Sequence, residues 1–362
     1  MRCPTLSELP PPPPEKNGWP WTEESPQMPA VLPNGCSWPM VSIVTPSFNQ
    51  AQFVEETIRS VLLQGFPNLE YIFIDGGSTD GTLDIVKKYE HWLIWVSEQD
   101  DGQSDAINKG WGKSRGEVIT WINSDDFYSP NALRLVMEKF ICSTESDFIC
   151  GDCNCVNAQS RNLGILRSSN FDLRRQMTGR NQILQPSTFF RRKILDQIGV
   201  LDVSLQYVMD YDFWVRALIA GSTMQHIPEM FSNYRIHHHA KSIASQLSLW
   251  LEIKKVLDQI YQSNATPVKI RRWKGRAYSN FHLSCGEIYL MLRNLAMARE
   301  EFWQAFFYNP FRPASFIIFA YILDTWVGGN RFGIAIKRFL WRLQNGFDDR
   351  LLWDDLIQDY SI

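Results

Sequence analysis

The most chemically pointed segment of this 362-residue chain is Asn123-Ser124-Asp125-Asp126, which follows the apolar run Val118 to Ile122. Two adjacent carboxylates repel each other and are costly to bury unless a cation or a donor neutralises them. A hard divalent ion, Mg2+ or Mn2+, shared between one carboxylate and a diphosphate meets that need. A capped turn into a helix beginning near Pro130 is the plainer alternative. The segment Asp75-Gly76-Gly77-Ser78-Thr79-Asp80-Gly81-Thr82 follows a second apolar run, Tyr71 to Ile74. Its glycines let backbone N–H groups come close to a ligand, and a strand-end carboxylate can accept from a base or a ribose. The same residues also make a plain turn in which Thr79 or Asp80 caps the next helix. A phosphate-binding P-loop is excluded, because the Gly-Lys-Ser/Thr ending is missing. Cys150, Cys153 and Cys155 lack a second Cys or His pair at ligand spacing, which favours free thiols in and after a buried strand. The run His237-His238-His239 offers imidazoles for a metal or for a pH response.

The elements that must position these groups follow from the apolar pattern. Val41 to Thr45, Tyr71 to Ile74, Leu93 to Val96 and Val118 to Ile122 read as short buried strands. Phe53 to Leu62, Thr82 to Tyr89 and Ser104 to Lys113 read as helices between them, the first with Glu55 and Glu56 complementing its dipole. Strands alternating with helices predict an α/β domain, a mostly parallel sheet with helices on both faces. Ligands of such sheets bind beyond the carboxyl ends of the strands. Pro46-Ser47-Phe48-Asn49, Asp75 and Asp125 all fall there.

The flanks differ. Residues 1–39 contain the run Pro10 to Pro14 and no apolar period, so a polyproline II or disordered arm is expected. From Leu247 on, long amphipathic patterns predict an all-helical region, 246–362, within which Ala277 to Pro310 resembles one tetratricopeptide-like helix pair. Hydrophobic residues make up 44% of the chain and charged residues 21%, enough for a sizeable core. A net charge of −3 gives no general attraction to nucleic acid. No apolar run reaches the roughly 20 residues that span a bilayer. Seven cysteines and the lack of a secretory leader favour a reducing, cytoplasmic setting.

Seven motifs occur in order: Val-Thr-Pro-Ser-Phe-Asn (44–49), Ile-Asp-Gly-Gly-Ser-Thr-Asp-Gly-Thr (74–82), Ser-Glu-x-Asp-x-Gly-x-x-Asp-Ala-x-Asn-Lys-Gly (97–110), Asn-Ser-Asp-Asp (123–126), Gln-Pro-Ser-Thr-Phe-Phe (185–190), Asp-Tyr-Asp-x-Trp-x-Arg (210–216) and Tyr-Arg-x-His (234–237). Together they resemble family 2 glycosyltransferases of the inverting GT-A, Rossmann-like fold, particularly bacterial surface-polysaccharide members, over about residues 40–242. The resemblance implies a GT-A domain at 40–245 that moves a sugar from a UDP-, GDP- or dTDP-sugar to a hydroxyl acceptor, a saccharide or a lipid-linked one. It implies that Pro46, Ser47 and Asn49 line the nucleotide pocket and that Asp75 binds the base. Asp105 and Asn108 fall in the donor-side segment. Asn123 and Asp125 take the Asp-x-Asp positions beside Ser124, with Asn123 in place of the commoner Asp. Asp125 and His237 would hold Mg2+ or Mn2+, with His238 and His239 facing solvent. The family's Glu-Asp pair aligns with Met209 and Asp210, which assigns the catalytic base to Asp210 and a structural place to Asp212. Arg216 and Arg235 would hold phosphates or pair with carboxylates. Lipid-linked acceptors add the expectation of peripheral association at the inner face of the plasma membrane. A nucleotidyltransferase and a non-catalytic scaffold of the same fold are the rival readings.

Overall fold

The computed structural model describes residues 1–169, 172–178, 183–237, 246–311 and 315–327. The chain divides into two compact units, Met1–Leu173 with Asn181–His237, and Arg174–Arg180 with His238–Ile362.

The first unit is built on one sheet. Its parallel part runs β3 (Ile94–Ser97), β2 (Leu69–Asp75), β1 (Val41–Ser47), β4 (Val118–Trp121). These are the strands that the apolar runs predict. Every residue of β1 and β2 is buried, which is why both read as continuous apolar runs. Val41 and Ile43 join Ile58 and Val61 of α1 (Val54–Leu62) and Val136 and Met137 of α4 (Ala132–Cys142) in one core. Val44, whose side chain leaves the opposite face, meets α3 (Gln103–Lys113) at Gly110, where a Cβ would fall 2.4 Å from the valine. Helices therefore cover both faces. A glycine at 110 lets α3 lie directly on the strand.

Beyond β4 the sheet becomes mixed, which corrects the expectation of a mostly parallel one. β8 (Thr188–Arg191) is antiparallel to β4 and to β6 (Phe148–Val156), and β7 (Asn162–Leu166) is antiparallel to β6. β9 (Met224–Arg235) runs parallel to β6 and antiparallel to the short β5 (Phe127–Tyr128). The turn between β6 and β7 is too short for a parallel crossover, so that pair has no other choice. Aromatic rings fill this half: Trp121 stacks on Trp214 at 5.4 Å, with Trp111, Phe190 and Phe213 around them. Cys150, Cys153 and Cys155 are buried free thiols.

The proline-rich arm is a second correction. Residues 1–39 are fastened to the first unit, with Cys3, Leu9 and Trp38 in the main core. The side chain of Arg59 is wholly buried and donates to the carbonyls of Pro10, Pro20 and Trp21. The Trp19 indole donates to the Tyr128 carbonyl at 2.8 Å, and Ser25 N–H to Leu63 O at 2.9 Å. Prolines lack an N–H but keep a carbonyl, and here those carbonyls satisfy a buried guanidinium.

In the second unit the described helices are α8 (Gln246–Gln262), α9 (Val268–Arg271), α10 (Lys274–Met291), α11 (Leu295–Tyr308) and α12 (Ser315–Val327). α10 and α11 form the expected helix pair, with Gly286 against the ring of Phe302. Asn294 caps α11 by accepting from Met297 N–H. Among the described residues no helix is long and apolar enough to cross a membrane. His238 and His239 lie outside the described residues.

Candidate nucleotide and metal site

The parallel strands end at one edge of the sheet, and their loops are tied to one another there. Asn49, in a left-handed turn at φ 52°, donates its N–H to Ser78 Oγ at 2.7 Å and accepts from Thr79 N–H at 2.9 Å. Gln50 and Ala51 donate to Thr82 Oγ1 and Asp80 Oδ2. Asp80 and Thr82 therefore bind the loops together as well as starting α2 (Thr82–Lys87). Pro46 pairs in register with Ile74, and Ser47 with Asp75. The Ser47 hydroxyl is buried and makes no hydrogen bond among the described residues. A buried orphan hydroxyl at a strand end is a position that a bound polar group would satisfy.

Asp75 is fully buried, and its carboxylate accepts from Gly77 N–H, Ser78 N–H, Ser78 Oγ and Ser97 Oγ at 2.5–3.0 Å. Its side chain thus orders the glycine loop and ties it to β3. Asp100, a position of the 97–110 motif that was given no role, stands beside it: a Cβ on Gly76 would come within 2.6 Å of Asp100 Oδ2. Burial raises the Asp100 carboxyl, with Asp105 and Asp75 adding to the rise against the Gly102 N–H and Lys109. Asp105 pairs with Lys109 at 3.0 Å. Burial pushes the Asp105 carboxyl up, but Lys109 and the Asp101 N–H outweigh it and leave it below its ordinary value. Asn108 exchanges two hydrogen bonds with the backbone of Leu201, at 2.9 and 3.0 Å, and so fixes the chain across the site's floor.

The Asn123–Asp126 turn sits just past β4. Thr57 of α1 donates to the carbonyls of Ser124 and Asp126, at 3.0 and 2.6 Å. Asn123 accepts from Gln103 Nε2 at 2.7 Å and donates toward Gln185 Oε1 at 3.3 Å. These two glutamines belong to motifs visible in the sequence, yet neither was marked as a site residue. Asp126 is buried; burial first and the Asp125 charge second hold its carboxyl well above the usual range. Asp125 Oδ2 lies 3.0 Å from His237 Nε2, with the aspartate side chain 20% exposed and the histidine 7%. Phe53 packs on the His237 ring at 4.8 Å.

This pair suits an oxygen- and nitrogen-accepting divalent ion. Two ligands at right angles with bonds of about 2.1 Å stand ~3.0 Å apart, the separation seen here. Among the described residues no three His, Cys, Asp or Glu side chains converge as a metal cluster. Arg235 and Arg216, the candidate phosphate holders, are turned inward: Arg235 to Glu56 and the Asp125 carbonyl, Arg216 to Asp212 and the carbonyls of Ile198 and Val200. Asp210 and Asp212 begin α7 (Met209–Ile219). Asp212 is the one that pairs with Arg216, at 2.7 Å, and Asp210 is partly exposed and accepts from Tyr211 N–H. Met209 is buried.

A family model described as Glycosyl transferase family 2 matches residues 42–199. An uncharacterized glycosyltransferase of Rickettsia typhi is 29% identical over 197 residues, 51% of this chain and 60% of the relative. A PGL/p-HBAD biosynthesis glycosyltransferase of Mycobacterium bovis is 32% identical over 190 residues, 49% of this chain and 69% of the relative. The chain thus spans less than two thirds of the rickettsial protein's length. In fold, Staphylococcus aureus TarS 1–349 in complex with UDP-GlcNAc matches with a TM-score of 0.55 at 15% identity, over 81% of this chain and 93% of that one. The mannosyltransferase PcManGT of Pyrobaculum calidifontis, in complex with GDP-Man and Mn2+, matches with a TM-score of 0.53 at 17% identity, over 80% and 86%.

Proposed function

The chain belongs to glycosyl transferase family 2, and on that premise we propose that it is an inverting, metal-dependent glycosyltransferase of cell-surface polysaccharide or glycolipid synthesis. The donor is a nucleoside-diphosphate sugar, a class supported by the UDP-GlcNAc and GDP-Man complexes of its fold neighbours. The observation that carries the reading is the approach of Asp125 and His237, residues 112 positions apart, at the sheet edge where the nucleotide loops meet. A Mg2+ or Mn2+ ion there would neutralise charge on the departing diphosphate. Ser47, with its unsatisfied hydroxyl, and the Asn49 loop face the nucleotide, while Asp75 orders that loop and accepts from the base. Asn123 and the Ser124 backbone hold the ribose side, where a neutral amide can accept and donate. Asp210 takes the proton from the acceptor hydroxyl as it attacks the anomeric carbon.

The acceptor is a saccharide or a lipid-linked hydroxyl, met in the cytoplasm at the inner membrane face. Seven free thiols support the reducing setting. Exposed Phe307, Phe311, Leu323 and Trp326 on and beside α11 and α12 support peripheral contact with lipid.

Incubation with a panel of UDP-, GDP- and dTDP-sugars and Mn2+ tests the reading. Release of nucleoside diphosphate is expected. Release of pyrophosphate in a parallel incubation with nucleoside triphosphates and a sugar 1-phosphate would indicate a nucleotidyltransferase, and no turnover in either incubation would indicate a scaffold. Asp125→Ala is expected to abolish the Mn2+-dependent gain in UDP affinity without unfolding the protein, with His237→Ala weakening it less.

A further inference from the structure

Asp125 and His237 meet beside a buried arginine, Arg235. We propose that Arg235 is a positioning residue that sets the Asp125–His237 pair for its cation, and that Glu56 and the turn at 157–160 anchor it. This inference rests on the metal reading of the site given above.

Arg235 is 1% exposed, and each of its guanidinium nitrogens donates inside the protein. Nε donates to the Asp125 carbonyl at 2.7 Å. Nη2 donates to Glu56 Oε2 at 2.9 Å, and Nη1 to Ser160 Oγ at 2.9 Å and Asn157 O at 3.2 Å. Its backbone N–H donates to Asp126 Oδ1 at 2.8 Å. The guanidinium plane lies 4.7 Å from the centre of the Phe53 ring, and that ring also packs on His237. One side chain therefore touches Asp125 through its carbonyl and reaches His237 by way of the phenyl ring that both pack on. Ser160 closes the arrangement by donating to both oxygens of Glu56 at 2.9 Å.

The geometry needs an arginine. A planar fork with five donors can reach a carbonyl, a carboxylate and a turn at once, and its flat face can lie on an aromatic ring. A lysine's three donors radiate from one nitrogen, which cannot reach Glu56, the Asp125 carbonyl and the 157–160 turn at once. With donors committed inward, Arg235 is not directed at a diphosphate. Its effect on the reaction passes through the placement of Asp125 Oδ2 and His237 Nε2. Outer-shell groups that orient metal ligands typically change affinity by about 10- to 100-fold when altered.

Mn2+ binding measured by electron paramagnetic resonance in the presence of UDP tests this on the full chain. Arg235→Lys is expected to weaken Mn2+ binding at least ~10-fold while UDP binding in EDTA stays at the wild-type value. In turnover, the Mn2+ concentration for half-activity rises and kcat at saturating Mn2+ recovers, a split that general loss of fold would not give. Glu56→Gln, which keeps shape and an acceptor, is the second variant and is expected to weaken Mn2+ several-fold. Wild-type Mn2+ affinity in folded Arg235→Lys overturns the inference, and if that variant does not fold, wild-type affinity in Glu56→Gln does so. If the wild-type protein itself binds no Mn2+ with UDP, the metal reading falls and this inference falls with it.

Discussion

Asp126 sits beside Asp125 but lives in a different environment, and the difference is measurable. The folded state raises its carboxyl well above the unfolded value, through burial and then the Asp125 charge. A raised carboxyl adds stability that is full below the unfolded value of about 3.9 and is lost as pH rises through the folded value. Asp126→Asn imitates the protonated group and keeps an acceptor for Arg235 N–H. With divalent metal chelated, its melting temperature should match wild type near pH 4 and exceed it increasingly toward pH 8. Calorimetry across that range checks this, and parallel curves would contradict the burial argument. Asp210→Asn keeps shape but cannot take a proton, so turnover should fall by about 100-fold or more with donor affinity nearly unchanged. Asp212→Asn should act through stability instead, since it loosens the buried pair with Arg216. At this scale the motifs pointed to Asp125 and His237, which the fold brings within 3.0 Å of each other. Glu56 was not legible. It reads as an ordinary acidic residue in a helix's first turn, and its partner Arg235 stands 179 residues away, beyond any local pattern.

At the scale of elements, β1, β2 and β4 were legible because burial on both faces leaves them mostly apolar, and β3 because Ile94 to Val96 continue an apolar run. β9 was not, because it carries His226 and Asn233, polar residues that pair with Asp152 and Asn154 of β6. The arm was illegible for a related reason: its contribution comes from carbonyls and scattered Trp side chains, which leave no apolar period. Removing residues 1–38 takes away the carbonyls of Pro10, Pro20 and Trp21 that Arg59 donates to, and removes Cys3, Leu9 and Trp38 from the main core. Truncating large buried side chains costs several kcal/mol, about 3–5 for an aromatic one. The truncated protein should therefore melt far below the full chain or fail to accumulate. A thermal unfolding curve within a few degrees of wild type would show the arm to be dispensable.

For the molecule as a whole, exposed rings on the second unit separate a freely soluble protein from one that rests on lipid. Sedimentation with vesicles rich in phosphatidylglycerol should carry down the full chain. Replacing both Phe307 and Phe311 with Ser should lower the bound fraction several-fold, because each contributes apolar area to the interface. Equal sedimentation of the two proteins would place lipid contact elsewhere or nowhere.

The long reach between Glu56 and Arg235 also fixes when the site can exist. A chain still being synthesised can lay down β1 to β4 early, since those strands and their helices lie within residues 41–121. At that stage Glu56, Thr57 and the Asn123–Asp126 turn are present, but Arg235 and His237 have not been made. Contacts of such sequence separation close late, because the loop entropy must be met before they contribute. Ion-binding competence should thus appear in the last kinetic phase of refolding, after the parallel sheet has formed. On the reading proposed above, a nascent or clipped chain would carry the Asn49 and Ser78 loops without the Asp125–His237 pair, and so without its cation seat, until its final strand is in place.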